Sequence, residues 1–298
     1  MSRLGAVSRC CAVTKAGQRC SITATAQLRD SRGELVAEPL RCGGKHCRYH
    51  LCLFQVEPAA LPTRCLLVLF LDFETTGLCV VSDEIVEVGL VSDRCGAIFS
   101  TVVRPRALPS QGDCIHGIPD TELEAGPCFP TAFARMLRFI NYLQLSMVES
   151  EHEDMDEEEE EECRRCLPRM PDEIPAVLLV AHNGFRFDFP MLLSEAWRKR
   201  ASLDALTDWY YADSLAVFNA LGAASLGGCV KLQCLVRSCA AEHLRAHRAL
   251  DDAIALRAVA QTVAARMGLS IAHLFALFAT QLDLEASVAE MSALCVRT

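Results

Sequence analysis

The chain has 298 residues, 51% of them apolar, and a formal net charge of −9. That apolar share supports a sizeable core, and no apolar run nears the roughly 18 residues a helical membrane span needs. The charge is unevenly spread: residues 149–162 hold 11 acids and no Lys or Arg, whereas residues 1–56 carry nine Lys/Arg against three acids.

Residues 1–55 are basic and rich in Cys and His. The whole chain has 17 cysteines, and residues 1–20 lack the apolar centre of a secretion signal. The expectation is therefore an intracellular protein, cytoplasmic or nuclear and not secreted, whose thiols are reduced and serve metal binding or burial. "CAVTKAGQRC" and "KHCRYH" supply Cys11, Cys20, Cys47 and His50, a spacing suited to a tetrahedral Cys₃His site for structural Zn²⁺. Cys10, Cys42 and His46 compete for the same role. A short segment so poor in core residues folds more readily around a metal, and its pattern is similar to small zinc knuckles.

Residues 56–64, "VEPAALPTR", read as a linker to a domain spanning 65–270. Strands are predicted at 65–73, 84–92 and 97–104, joined as a meander by short connections. A helix follows from about Pro130, with Ala132, Met136, Phe139 and Ile140 at core-facing spacing. Residues 146–172, which include the acidic run and "CRRC", read as a solvated, disordered insertion because such a charge density cannot collapse. Then come a buried strand in "AVLLVAHN", a helix at 189–200, an extended segment at "YYADSL" and a long helix over about 250–267. Residues 271–298 read as a helical extension. Strands alternating with covering helices define a layered α/β domain.

Five acids stand out in this frame. In "LVLFLDFETTGL", Asp72 and Glu74 end a buried strand two residues apart, on one face and roughly 7 Å apart along the chain. Buried carboxylates are costly without a cation. Asp188 sits among Phe185, Phe187 and Phe189 in "HNGFRFDFP". Asp251 and Asp252 open the long helix after His247, where the helix dipole alone would favour acids.

Together "DFETTG", "HNGFRFD" and a His followed five residues later by Asp252 resemble the three motifs of the DEDDh family of 3′→5′ exonucleases. "IHGIPDTEL" and "KLQCLVRSC" agree with lesser features of that family. The resemblance spans about residues 66–265 and implies an RNase H-like fold, a mixed sheet flanked by helices. It implies Asp72, Glu74, Asp188 and Asp252 as ligands of two Mg²⁺ or Mn²⁺ ions and His247 as general base. It also implies that Glu74 and Thr75 hold the terminal 3′-OH, that Leu78 wedges under the last base and that Asn183 helps position the strand. Single-stranded 3′ ends are the implied partner, DNA before RNA, with no membrane. The alternatives are an exoribonuclease, or an inactive exonuclease fold used for binding.

Overall fold

The computed structural model describes residues 26–27, 45–46, 55–56, 66–108, 116–153, 174–221, 226, 228–239, 248–276 and 278–296. Three two-residue strands come first: β1 (Ala26–Gln27), β2 (Lys45–His46) and β3 (Gln55–Val56). β1 and β2 pair antiparallel.

The core is a five-stranded mixed sheet in the order β6-β5-β4-β7-β8. Its strands are β4 (Leu66–Thr75), β5 (Ile85–Ser92), β6 (Ile98–Val102), β7 (Ala176–Ala181) and β8 (Tyr210–Asp213). β4, β5 and β6 form the antiparallel meander, and β7 and β8 continue the sheet parallel to β4. Parallel neighbours need a covering crossover, and the helices supply it. α1 (Asp120–Ala125) and α2 (Phe129–Glu153) follow β6; α3 (Asp188–Arg198) lies between β7 and β8. α4 (Ser214–Ala220), α5 (Leu232–Ser238), α6 (Ala249–Met267), α7 (Ile271–Ala276) and α8 (Leu284–Val296) come after β8. The short β9 (Gln281–Leu282) pairs antiparallel with β3.

β4 shows why the sheet has two different faces. Strand residues alternate sides, so Leu67, Leu69, Leu71 and Phe73 enter the core beneath α2 and α3, with Met136, Ile140, Met191 and Leu192. Val68 and Phe70 enter the opposite core, with Leu256, Val259 and Val263 of α6 and Phe275 of α7. Phe70 is fully buried and meets the Phe275 ring edge-on at 6.0 Å. Asp72 and Glu74 continue the Val68–Phe70 series, which aims them at the α6 side just where the strand ends.

The mixed α/β architecture agrees with the sequence reading, with two corrections. α2 runs through Glu153, so residues 146–153 of the expected disordered insertion are helical. Each added residue gains a backbone hydrogen bond once a helix is nucleated, Met147 is buried, and Glu has good helix propensity. Val56, expected to begin the linker, lies in β3 against the C-terminal β9. The remaining acidic run and "CRRC" lie outside the described residues. Among the described residues no helix is long and apolar enough to cross a membrane.

Candidate metal centre

Asp72, Glu74 and Asp252 converge: each offers a carboxylate oxygen, and these oxygens all lie within 4.8 Å of one another. Two come from the end of β4 and the third from the first turns of α6, where the Asp252 amide donates to the Arg248 carbonyl at 3.0 Å. Asp251, its neighbour, is not in the trio. Each residue of a helix is rotated about 100° from the last, so only one of two adjacent acids can face the strand end.

A glycine permits this approach. Gly89 of β5 pairs directly with Asp72. A Cβ there would stand 2.3 Å from the Ala249 carbonyl carbon and 2.3 Å from the Leu250 nitrogen. The first turn of α6 thus rests on bare backbone, which brings Asp252 down to the level of Asp72 and Glu74.

Asp188 is 3% exposed, at the first residue of α3, and lies outside the trio. The loop leading to it is shaped by Asp213, the last residue of β8. Its Oδ1 accepts from the Asn183 amide at 2.9 Å and from the Leu215 amide at 2.9 Å, and its Oδ2 from the Phe185 amide at 3.4 Å. Burial pushes the Asp213 carboxyl up, and those amides pull against it. Asn183 takes a left-handed backbone, φ 65°, a conformation that Asn tolerates better than most residues. His182 Nδ1 and Ser214 Oγ, 2.9 Å apart, tie the same loop to α4.

The β4–β5 loop is equally constrained. Thr75 is buried and its hydroxyl donates to the Gly77 carbonyl at 2.7 Å. The Cys79 amide donates to Asp83 Oδ2 at 2.6 Å, and a Cβ on Gly77 would meet the Asp83 carboxylate at 2.4 Å. This tight loop presents Leu78, 53% exposed, to solvent. Arg198 of α3 grips its far side, donating to the Ser82 carbonyl at 3.0 Å and to the Asp83 carbonyl.

His247 and the four expected zinc ligands, Cys11, Cys20, Cys47 and His50, lie outside the described residues. Asp213 could have been suspected from "YADSL", an Asp-Ser step that suits a helix N-cap. Gly89 carried only the weaker signal of a glycine inside a strand.

The donor set suits a hard divalent cation. Among the described residues the group offers three carboxylate oxygens, the hard donors that such cations take.

Residues 69–177 match the family model described as Exonuclease, a span that contains Asp72 and Glu74 and ends before Asp188. Over 235 residues the chain is 27% identical to "Exonuclease DPD1, chloroplastic/mitochondrial" of Arabidopsis thaliana, covering 76% of this chain and 66% of that protein. Its fold is similar to that of E. coli exonuclease I in complex with a dT13 oligonucleotide, with TM-score 0.50 and 21% identity, over 68% of this chain and 42% of that one. A product-bound structure of exonuclease I matches equally, with TM-score 0.50 and 20% identity, over 68% and 44% of the respective chains. The chain thus spans less than two thirds of the length of each of these proteins.

Proposed function

We propose that this protein is a divalent-metal-dependent 3′→5′ exonuclease acting on single-stranded ends, with DNA favoured over RNA. The observation that carries this reading is the convergence of Asp72, Glu74 and Asp252 within 4.8 Å at the open end of the central sheet. Two Mg²⁺ or Mn²⁺ ions bound there would activate water and stabilise the leaving oxygen.

The chain's own residues have distinct tasks in this scheme. Asp72, Glu74 and Asp252 hold the ions, and Asp188 contributes directly or through a water. His247 takes the proton as the water oxygen bonds to phosphorus and the bond to the 3′ oxygen breaks. The backbone at Glu74 and Thr75 holds the terminal 3′-OH. Exposed Leu78, on its braced loop, lies against the last base, and Asn183 positions the strand.

The names of the similar proteins support the nuclease class, and the dT13 complex of exonuclease I supports single-stranded DNA as the substrate to try first. The test uses 5′-labelled single-stranded DNA, duplex DNA and RNA with Mg²⁺. The expected result is a ladder of shortening products, fastest on single-stranded DNA and abolished by chelator. Products that shorten from the 5′ end, or cleavage that survives chelation, would contradict the assignment. His247→Ala should lower kcat by about 10²- to 10⁴-fold, the usual contribution of a general base; a near-native kcat would remove His247 from the mechanism.

A further inference from the structure

We infer that Glu87 is a positioning residue for Asp252, acting through Arg248 and the start of α6; the inference deepens the proposed metal-dependent reading and rests on it. Glu87 lies in β5 directly opposite Glu74 and is 1% exposed. Directly opposed residues of antiparallel strands share a face, and like charges there destabilise the pair. Glu87 escapes that conflict by engaging α6.

Its Oε1 accepts from Arg248 Nη2 at 2.7 Å, Arg248 Nε donates to both Oε1 at 2.9 Å and Oε2 at 3.1 Å, and Oε2 also accepts from the Ala249 amide at 2.9 Å. Ala249 is the first residue of α6, and its N-cap, Arg248, makes no side-chain cap of its own. The first amides of a helix have no intrahelical acceptor. Glu87 therefore caps α6 from a neighbouring strand, with the charge that a helix N-terminus prefers. The same Arg248 Nη2 reaches Glu122 of α1 at 3.0 Å.

The bidentate fork has directional consequences. A guanidinium held by two parallel hydrogen bonds fixes orientation as well as distance. The Arg248 carbonyl receives the Asp252 amide at 3.0 Å, so the fork and the carboxylate it orients are linked by a single helical hydrogen bond. Gly89, two residues along the same strand face, sets how closely that turn approaches the sheet, while Glu87 sets where along the strand it sits. Burial alone calls for no such residue, since an apolar side chain would fill the space without desolvating a charge. Groups that orient metal ligands typically change affinity or activity about 10- to 100-fold when removed.

The test uses the full chain with Glu87→Gln, which keeps the shape and removes the charge, and Arg248→Lys, which keeps the charge and removes the fork. Mn²⁺ affinity is measured on the protein alone, kcat and KM on oligonucleotide, and hydrogen exchange at the amides of 249–252. Both variants should bind Mn²⁺ about 10- to 100-fold more weakly and lose kcat by a similar factor, with KM nearly unchanged. Exchange at 249–252 should accelerate while β4 keeps its protection. Glu122→Gln, which leaves the fork intact, should change Mn²⁺ affinity least. Wild-type Mn²⁺ affinity and kcat in Glu87→Gln, even with a lowered melting temperature, would reduce Glu87 to a structural role. If Glu87→Gln does not fold, the same readouts on Arg248→Lys decide the matter. A wild-type protein that binds Mn²⁺ yet cleaves nothing would defeat the proposed function alone.

Discussion

β5 is held at two points by buried glutamates, and the two grips differ in their cation. At its start, the Ile85 amide donates to Glu195 of α3 at 2.5 Å. Glu195 shares the ammonium of Lys199 with Glu84: Lys199 hydrogen-bonds Glu84 and lies 3.9 Å from Glu195. Burial opposes the charge on Glu84, but Lys199 and the Arg106 amide outweigh it and hold that carboxyl below its usual range. Glu195 receives the weaker share, and burial pushes it up to about 7. Two residues into the strand, Glu87 engages both Nε and Nη2 of Arg248, the Nη2 also reaching the half-exposed Glu122, and these hydrogen bonds raise the guanidinium's own pKa. One ammonium shared by two buried acids makes a grip in which Glu195 titrates near neutrality; the other grip is built on a guanidinium fork. The first braces the loop bearing Leu78, and the second seats the helix bearing Asp252.

The comparison is broken most forcefully at Gly89. A methyl group there meets helix backbone at 2.3 Å, with no flexible side chain to yield. Gly89→Ala should cost about 1–3 kcal/mol, the usual penalty of overpacking, and should depress nuclease activity well beyond that loss of fold. Denaturant unfolding and activity per folded molecule measure the two effects. A stable, fully active Gly89→Ala would mean that α6 does not depend on bare backbone for its seat.

Glu195→Gln sharpens the comparison at the other grip. Because its folded pKa stands above the ordinary 4.5, the folded protein holds this proton more tightly than the unfolded chain. Its contribution to stability is complete below about pH 4.5 and is lost as pH rises through about 7. Subtracting the unfolding free energies of Glu195→Gln from those of the wild type should isolate a difference that falls across that window. A difference independent of pH would show that Glu195 titrates normally.

Much of this was legible because it is local. The alternation in "LVLFLDFET" announces a strand and sends Asp72 and Glu74 to one side of it, and the resemblance to the family's third motif, a His followed five residues later by an Asp, singles out Asp252 rather than Asp251. The first inference needs only periodicity, the second only a match between neighbouring residues. The supports were not legible, because they join residues far apart in the chain. Nothing near Glu87 in "EIVEVGLVS" announces Arg248, 161 residues away, and nothing near Asp213 announces the loop at Asn183. The length of α2 was misjudged for a different reason: charge density was taken to end the helix, whereas Glu propagates one well and Met147 anchors it.

In the proposed mechanism Asp72, Glu74 and Asp252 form a metal centre for phosphodiester cleavage. The most direct test is a Mn²⁺ titration of wild-type protein and of Asp252→Asn, run alongside cleavage of labelled single-stranded DNA. The account predicts that Asp252→Asn loses metal affinity and cleavage together while melting no lower than wild type, since one of three mutually repelling carboxylates has been neutralised. Unchanged Mn²⁺ binding with cleavage intact in Asp252→Asn would contradict it.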